Sequence, residues 1–358
     1  MQTTAATKLG IEAEIITSII GKAGVISLNR PKALNAINVP MIRTLSKTLN
    51  DWQTDPAVEF VVICSNDSKA FCAGGDIRAV YAARLQDDFS FCDAIFREEY
   101  QLNYMISKYP KPYIALINGI CMGGGMGISI HGSHRIVSEN ALLAMPETGI
   151  GYFPDIGASY FLNQCPGKIG TFMGVVGEII DYADAIYTNL ATHYVPSSNF
   201  PKLKQNLLTA TSVEDALQHI EALTETAPNS SLAQHQSLID HCFAADTVEA
   251  IIENLVAYGT PQASKWLHLL DKRSPTSLKI SLALLQRNRG KSLKKCLPIE
   301  FRLSQRFSRK YDFFEGVRAL LVDKDHTPHW QPRHLSQVTR EMIDEYFSPL
   351  GTLELQLG

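Results

Sequence analysis

The fold class that the sequence predicts is α/β, and three observations predict it. Short β-branched runs alternate with amphipathic helical stretches over the first half of the chain. Beyond Val195-Pro196-Ser197-Ser198-Asn199-Phe200-Pro201, where turn-forming residues cluster, β-like runs become rare and helical start signals accumulate. With 358 residues, 45% hydrophobic and 19% charged, the chain can bury a large core. The expected organisation is a strand-and-helix core over residues 1–195 and a mainly helical region over residues 196–358.

The elements follow in order. Glu14 to Ile20 and Val25 to Asn29 are strand candidates separated by Gly21 and Gly24, which predicts a hairpin. Asn38-Val39-Pro40 opens a helix whose Met41, Ile42, Leu45, Leu49 and Trp52 share one face. Phe60 to Cys64, Tyr113 to Ile117 and Ala141 to Met145 read as short buried strands. Helices are expected around Phe89 to Ser107 and Met126 to His131. In the second half, Ser212 with Asp215 resembles a capping box, and Ser274-Pro275 offers an N-cap followed by proline at the first helical position.

Composition narrows the function classes. A net charge of -3 gives no reason to expect nucleic acid as a partner. The seven cysteines (64, 72, 92, 121, 165, 242 and 296) form no CxxC pair and no disulfide framework, which suits a reducing compartment, by default the cytoplasm. Residues 1–10 carry one lysine, no arginine and no apolar run, so no targeting signal is expected. No segment has the apolar length of a membrane span.

The chemistry concentrates in two glycine turns and three acids. Phe71-Cys72-Ala73-Gly74-Gly75-Asp76 and Gly119 through Gly123-Gly124-Gly125 each lead from an apolar run towards a helix. Glycine admits close backbone approach, and N–H groups at a helix start are unpaired. The N–H groups of Ala73 and Gly124 are therefore candidates for an oxyanion hole; two plain tight turns would explain the glycines equally well. Glu99 shares a helical face with Ile95, Leu102 and Ile106, an expensive place for a carboxylate unless it meets a ligand or reaches past the stripe edge to water. Glu147, in Met145-Pro146-Glu147-Thr148-Gly149-Ile150-Gly151, sits among apolar residues that raise its basicity, or else opens a helix. Asp155, directly after Pro154, is a further candidate or an ordinary turn aspartate.

Other constellations are weaker. Gly127-Ile128-Ser129-Ile130-His131 lacks the final glycine of a nucleophile elbow, and Cys72 has no nearby histidine. His131 fits a helix C-terminus closed by Gly132 better than a metal pair with His134. The basic cluster from Arg287 to Lys295 fits a solvated helix face better than a phosphate site.

Together, Asn29-Arg30-Pro31-Lys32-Ala33-Leu34-Asn35-Ala36, Phe71 to Arg78, Phe96-Arg97-Glu98-Glu99-Tyr100, Met122 to Gly127 and Pro146 to Asp155 resemble the crotonase (enoyl-CoA hydratase/isomerase) superfamily, and within it the 3-hydroxyisobutyryl-CoA hydrolase branch. The likeness continues through Arg302-Leu303-Ser304-Gln305 and Asp312 to Ala319. It implies a spiral of ββα units with a helical C-terminal region, and an acyl-CoA bound between the glycine turns. By motif position it assigns Ala73 and Gly124 as oxyanion donors. Glu99, Glu147 and Asp155 become catalytic or acyl-binding residues. Lys32, Ala33, Leu34, Gly74, Gly75, Asp76 and Ile77 become CoA-contacting residues. Hydratases of the superfamily carry a second glutamate at the position of Gly127, so its loss argues for hydrolysis of a short 3-hydroxyacyl-CoA thioester in valine breakdown. CoA is then part of the substrate, and no cofactor, metal, nucleic acid or membrane is implied. A homo-oligomer stays open, as do hydration or isomerisation on the same fold and a non-catalytic acyl-CoA- or RNA-binding role.

Overall fold

The computed structural model describes residues 13–67 and 69–358; the expectation about a targeting signal concerns residues 1–10 and lies outside them. Strands β1 (Ile15–Ile20) and β2 (Ala23–Leu28) pair antiparallel, with Gly21 at φ +58° turning the chain. β2 begins two residues earlier than the sequence suggested. Gly24 is not a turn residue but a strand position where any β-carbon would meet the Trp52 ring. Helix α1 (Val39–Trp52) is capped by the Asn38 side chain, which accepts from the Met41 N–H.

The chain then winds through three similar turns. Strand β3 (Phe60–Ser65) runs on into β4 (Ala70–Cys72), followed by helices α2 (Ile77–Leu85) and α3 (Phe89–Ser107). Strand β5 (Tyr113–Ile117) leads into β6 (Ile120–Met122) and the one-turn helix α4 (Gly124–Gly127). Strand β7 (His134–Val137) leads into β8 (Leu142–Ala144). Short strands β9 (Ile180–Asp181) and β10 (His193–Tyr194) complete two sheets, ordered β1-β2-β3-β5-β7-β10 and β4-β6-β8-β9. The first is parallel from β2 to β10; in the second only β8 with β9 is antiparallel. This is the ββα spiral that the resemblance implied. Two expectations need correction. The helix expected over Met126 to His131 is only α4, because the Gly-rich run favours turns. Strand β7, with a histidine and an arginine at its start, was not foreseen.

Residues alternate across the first sheet. Val61 and Ile63 face the main core with α1 and α3, while Phe60, Val62 and Cys64 face a second core. That second core is closed by α8 (Phe200–Thr209) and α9 (Val213–Leu223), through Leu203, Leu207, Ala216 and Ile220. Both sheet faces are thus covered, as a parallel sheet requires. Ser212 caps α9, but the Asp215 carboxylate reaches the Thr211 N–H rather than that of Ser212, so only half of a capping box forms.

Helices α5 (Ala158–Phe161) and α6 (Ile169–Val176) lie between β8 and β9, and α7 (Tyr182–Tyr187) lies between β9 and β10. Helices α10 (Ser231–Cys242), α11 (Val248–Tyr258), α12 (Pro261–Asp271) and α13 (Pro275–Asn288) then wrap the core, the last capped by Ser274. Helices α14 (Leu293–Phe307), α15 (Tyr311–Val317) and α16 (Arg340–Phe347) finish it. One apolar cluster runs from Ile15 to Leu355, and the cavity described next takes Leu321 from the second half of the chain and its other lining residues from the first. No helix among the described residues is long and apolar enough to cross a membrane.

Candidate active site

A cavity of about 170 Å³ lies where the glycine turns after β4 and β6 approach α3 and the turn after β8. Three carboxylic acids line it: Glu99, Glu147 and Asp155, each less than 8% exposed. Glu99 comes from the buried face of α3, together with Ile95, Leu102 and Ile106. Glu147 opens a 3-10 turn, Glu147–Ile150, that Pro146 sets at the end of β8. That turn ends at Gly151, φ +70°, where a β-carbon would run into the Asp312 carbonyl of α15. Gly316 of α15 is equally tight against the Ile150 carbonyl. Helix α15 therefore clamps the turn that carries Glu147.

Asp155 lies between Pro154 and a strained Ile156 at φ +56°. The Tyr100 hydroxyl donates to its Oδ2 at 2.7 Å. Just beyond, the buried Glu300 of α14 accepts from the N–H groups of Gly157 (2.7 Å) and Ser159 (3.0 Å) and from the Ser159 hydroxyl (2.5 Å). No cation pairs with Glu300 among the described residues; three donors fix it instead.

The glycine turns let the acids come close. A β-carbon on Gly123 would lie 2.8 Å from Glu147 Oε1, and one on Gly124 would lie 2.7 Å from Glu99 Oε1 and 3.0 Å from the Gly75 nitrogen. Gly123 itself stands at φ +45°. The N–H of Gly124, at the start of α4, has no partner among the described residues, nor does that of Gly75. Ala73 differs from expectation: its N–H is spent on the Leu34 carbonyl at 3.0 Å. The free pair facing one space is Gly75 and Gly124, because the strand-like stitch of Ile37 to Gly74 and Asp76 leaves the Gly75 N–H pointing away from it.

Burial dominates the electrostatics. It pushes Glu147 up to about 8 and Glu99 up to about 7, and it holds Asp155 well above the usual carboxylate range. The negative charges of Glu99 and Glu147 add to the rise at Asp155, which the Tyr100 hydrogen bond opposes. Glu99 Oε1 and Glu147 Oε2 are buried without a hydrogen-bond partner. Two unpaired acid oxygens beside two unpaired N–H groups form a site arranged for a ligand that carries an oxygen acceptor and a polar hydrogen.

Ala73, Gly74, Gly75, Ile77, Glu99, Gly124, Glu147 and Asp155 all line the cavity. Lys32, Ala33 and Leu34 lie outside its lining, on a 3-10 turn with Lys32 exposed, joined to it only through the Leu34–Ala73 bond. Asp76 is also outside the lining; its carboxylate caps α2 through the Ala79 N–H and pairs with Arg30 at 2.8 Å, which holds the turn. Sequence reasoning missed Tyr100, Glu300, Phe96, Ile150 and Leu321. A signal existed for Glu300, which shares an apolar helical face with Cys296, Leu297 and Phe301 just as Glu99 shares one with Ile95.

The rejected constellations resolve simply. Ser129 is buried and bonds the Gly125 carbonyl at 2.9 Å. Cys72 is a buried thiol whose pKa burial raises. His131 bonds the Ile156 carbonyl at 2.7 Å, and burial lowers it to about 4, so it is neutral rather than a cation at a helix end. No group of three metal-ligating side chains occurs among the described residues.

The enoyl-CoA hydratase/isomerase family model matches residues 23–347. The chain is 46% identical to the mitochondrial 3-hydroxyisobutyryl-CoA hydrolase of Xenopus tropicalis, covering 97% of this chain and 91% of that protein. It is 42% identical to the human protein of the same name, over 96% and 90% of the two chains. Among solved structures, a carnitinyl-CoA dehydratase from Mycobacterium thermoresistibile superimposes with a TM-score of 0.92 at 35% identity, covering 96% of this chain and 99% of that one. An enoyl-CoA hydratase from Rhodobacter sphaeroides superimposes with a TM-score of 0.91, also at 35% identity, over 96% and 100%.

Proposed function

The chain belongs to the enoyl-CoA hydratase/isomerase family, and from that premise we propose that it hydrolyses a short 3-hydroxyacyl-CoA thioester, 3-hydroxyisobutyryl-CoA, to 3-hydroxyisobutyrate and free CoA, a step of valine breakdown. It is an acyl-CoA thioester hydrolase like the relatives at 42–46% identity. The observation that carries the reading is at Gly127. A β-carbon there would sit 2.9 Å from Asn103 Nδ2 and 3.1 Å from Ile156 Cβ, so a glutamate at position 127 would have to displace both; the cavity's other glutamate, Glu99, comes from α3 instead. Addition of water across a double bond needs acid and base functions at both carbons; hydrolysis needs one carboxylate and a polarised carbonyl.

In this reading the thioester oxygen lies between the N–H groups of Gly75 and Gly124, which stabilise the charge of the tetrahedral state. Each such donor is worth on the order of 10²–10³ in rate. Glu147, ionised, either takes a proton from the attacking water or attacks the carbonyl itself to form a mixed anhydride that water then opens. Either way the C–S bond breaks, the CoA sulfur leaves with a proton, and the carboxylic acid is released. Glu99, facing Gly124, orients the water or Glu147. Asp155 binds the 3-hydroxyl group, and a site built to hydrogen-bond that group rejects acyl chains lacking it. Lys32, Ala33 and Leu34, on the loop bonded to Ala73, are the residues we assign to the adenine end of CoA, a role carried over from the family motif. The chemistry calls for no metal and no cofactor beyond the CoA of the substrate. All seven cysteines are free and buried, which supports a reducing compartment, the cytoplasm in our reading.

The rival is hydration or isomerisation on the same fold; the two solved relatives are named as a carnitinyl-CoA dehydratase and an enoyl-CoA hydratase. Thiol release from 3-hydroxyisobutyryl-CoA, followed with a thiol-reactive dye, is expected at ordinary enzymatic rates. Loss of enoyl absorbance from an enoyl-CoA, with no thiol release from the hydroxy ester, would overturn the proposal. Tight binding with neither reaction would leave a non-catalytic binder.

A further inference from the structure

We infer that Tyr100 is a positioning residue that sets the preference for 3-hydroxyacyl chains by fixing which oxygen of Asp155 meets the substrate. This deepens the proposed function and rests on it. Tyr100 sits one residue after Glu99 on α3 and is completely buried. Its ring packs against Phe96, centroids 6.2 Å apart, and edge-on to Phe301 of α14 at 6.4 Å, so the hydroxyl has one position. That hydroxyl donates to Asp155 Oδ2 at 2.7 Å.

The other oxygen, Oδ1, makes no hydrogen bond within the described protein and is not among the fully buried, unpartnered atoms, while Asp155 lines the cavity. Oδ1 is therefore the one oxygen open to a ligand. A carboxyl group free to spin about its last torsion would present either oxygen in a range of directions. With Oδ2 held, Oδ1 has one direction, and an acyl hydroxyl must stand in register with it to bond. Discrimination of this kind depends on the site's polar groups being unable to relax when the substrate lacks its partner. The tyrosine also stabilises the charged form of Asp155 against burial and three neighbouring acids, Glu99, Glu147 and Glu300. Ionised, Oδ1 accepts the substrate's O–H as a charge-assisted bond, stronger than a neutral one.

The test is Tyr100→Phe, which keeps the packed ring. Thiol release is measured on 3-hydroxyisobutyryl-CoA and on isobutyryl-CoA, the same chain without the hydroxyl. The expected result is a fall of about 10–100-fold in kcat/KM for the hydroxy ester and less than about threefold for the plain one. The hydroxy ester's pH–rate profile is also expected to move its rising limb to higher pH, because Asp155 loses a hydrogen bond that favours its charge. In an Asp155→Asn background the same change should have little further effect on the ratio between the esters. An equal loss on both esters, with an unmoved profile, would mean that the tyrosine only supports the fold and would overturn the inference, as would no loss at all. Absence of thiol release by the unaltered enzyme on either ester would sink the proposed function and the inference together, which separates the two failures.

Discussion

Glu147 is the residue on which turnover depends, and its surroundings make a specific demand. Burial holds it at about 8, yet it must be ionised to take a proton from water or to attack a carbonyl. Glu147→Gln keeps the size and polarity of the side chain and removes both roles, so kcat should fall by about 10²–10⁴ while CoA binding survives. Near-normal thiol release would exclude it as base or nucleophile. The unaltered enzyme should show kcat/KM rising across about pH 7 to 8 rather than near the ordinary carboxylate range. With Glu99 at about 7 in the same cavity, the midpoint belongs to the group of acids rather than to Glu147 alone. A profile already flat above pH 5.5 would contradict the burial that the structure gives these acids.

At the scale of elements, the question is what keeps Glu147 pointing at Gly123. The turn Glu147–Ile150 has no side-chain cap of its own. It is held by contact with α15, where Gly151 meets the Asp312 carbonyl and Gly316 meets the Ile150 carbonyl. Gly151→Ala adds a methyl with nowhere to go and strains a left-handed backbone, costing about 2–4 kcal/mol. Activity should fall at least tenfold even at temperatures where the variant stays folded, because the turn must shift away from the cavity. A folded Gly151→Ala variant with unaltered kcat would mean that α15 does not govern the turn. The same clamp marks how far the sequence could be read. Glu99, Glu147 and Asp155 were visible as acids in apolar settings, and the glycine turns as places of close approach, since those signals are local. Which N–H was free was not legible. Ala73 and Gly75 differ only in that Ala73 lies opposite Leu34, forty residues away less one, and that pairing is tertiary. Tyr100 escaped notice for a related reason: a buried tyrosine is ordinary in a helix stripe until its hydroxyl is seen to end on Asp155. Strand β7 was hidden because its first two residues are a histidine and an arginine, and only its position between β5 and β10 makes it a strand.

For the molecule as a whole, buried acids link stability to pH with a definite sign. Glu99, Glu147 and Glu300 are held at about 7, 8 and 7 by burial, above the usual value near 4.5. Below pH 4.5 these groups are protonated in both the folded and the unfolded chain and contribute no pH-dependent difference. Above it the unfolded chain ionises first and binds fewer protons than the folded one, so the stability they contribute declines with rising pH until each folded pKa is passed. They are spread across both halves of the chain, Glu99 and Glu147 before Val195 and Glu300 on α14, yet all lie in or beside one continuous core. The melting temperature should therefore decrease between about pH 5 and pH 8, in one transition rather than two. Glu147→Gln removes one contributor, so the variant should melt above the unaltered protein at pH 8, by about 2 °C or more, and close to it at pH 5. That difference is read by thermal melts of both proteins at the two pH values. A variant that gains as much at pH 5 as at pH 8 would show that Glu147 is ionised throughout, and with it the basis for a base poised near neutrality would fall.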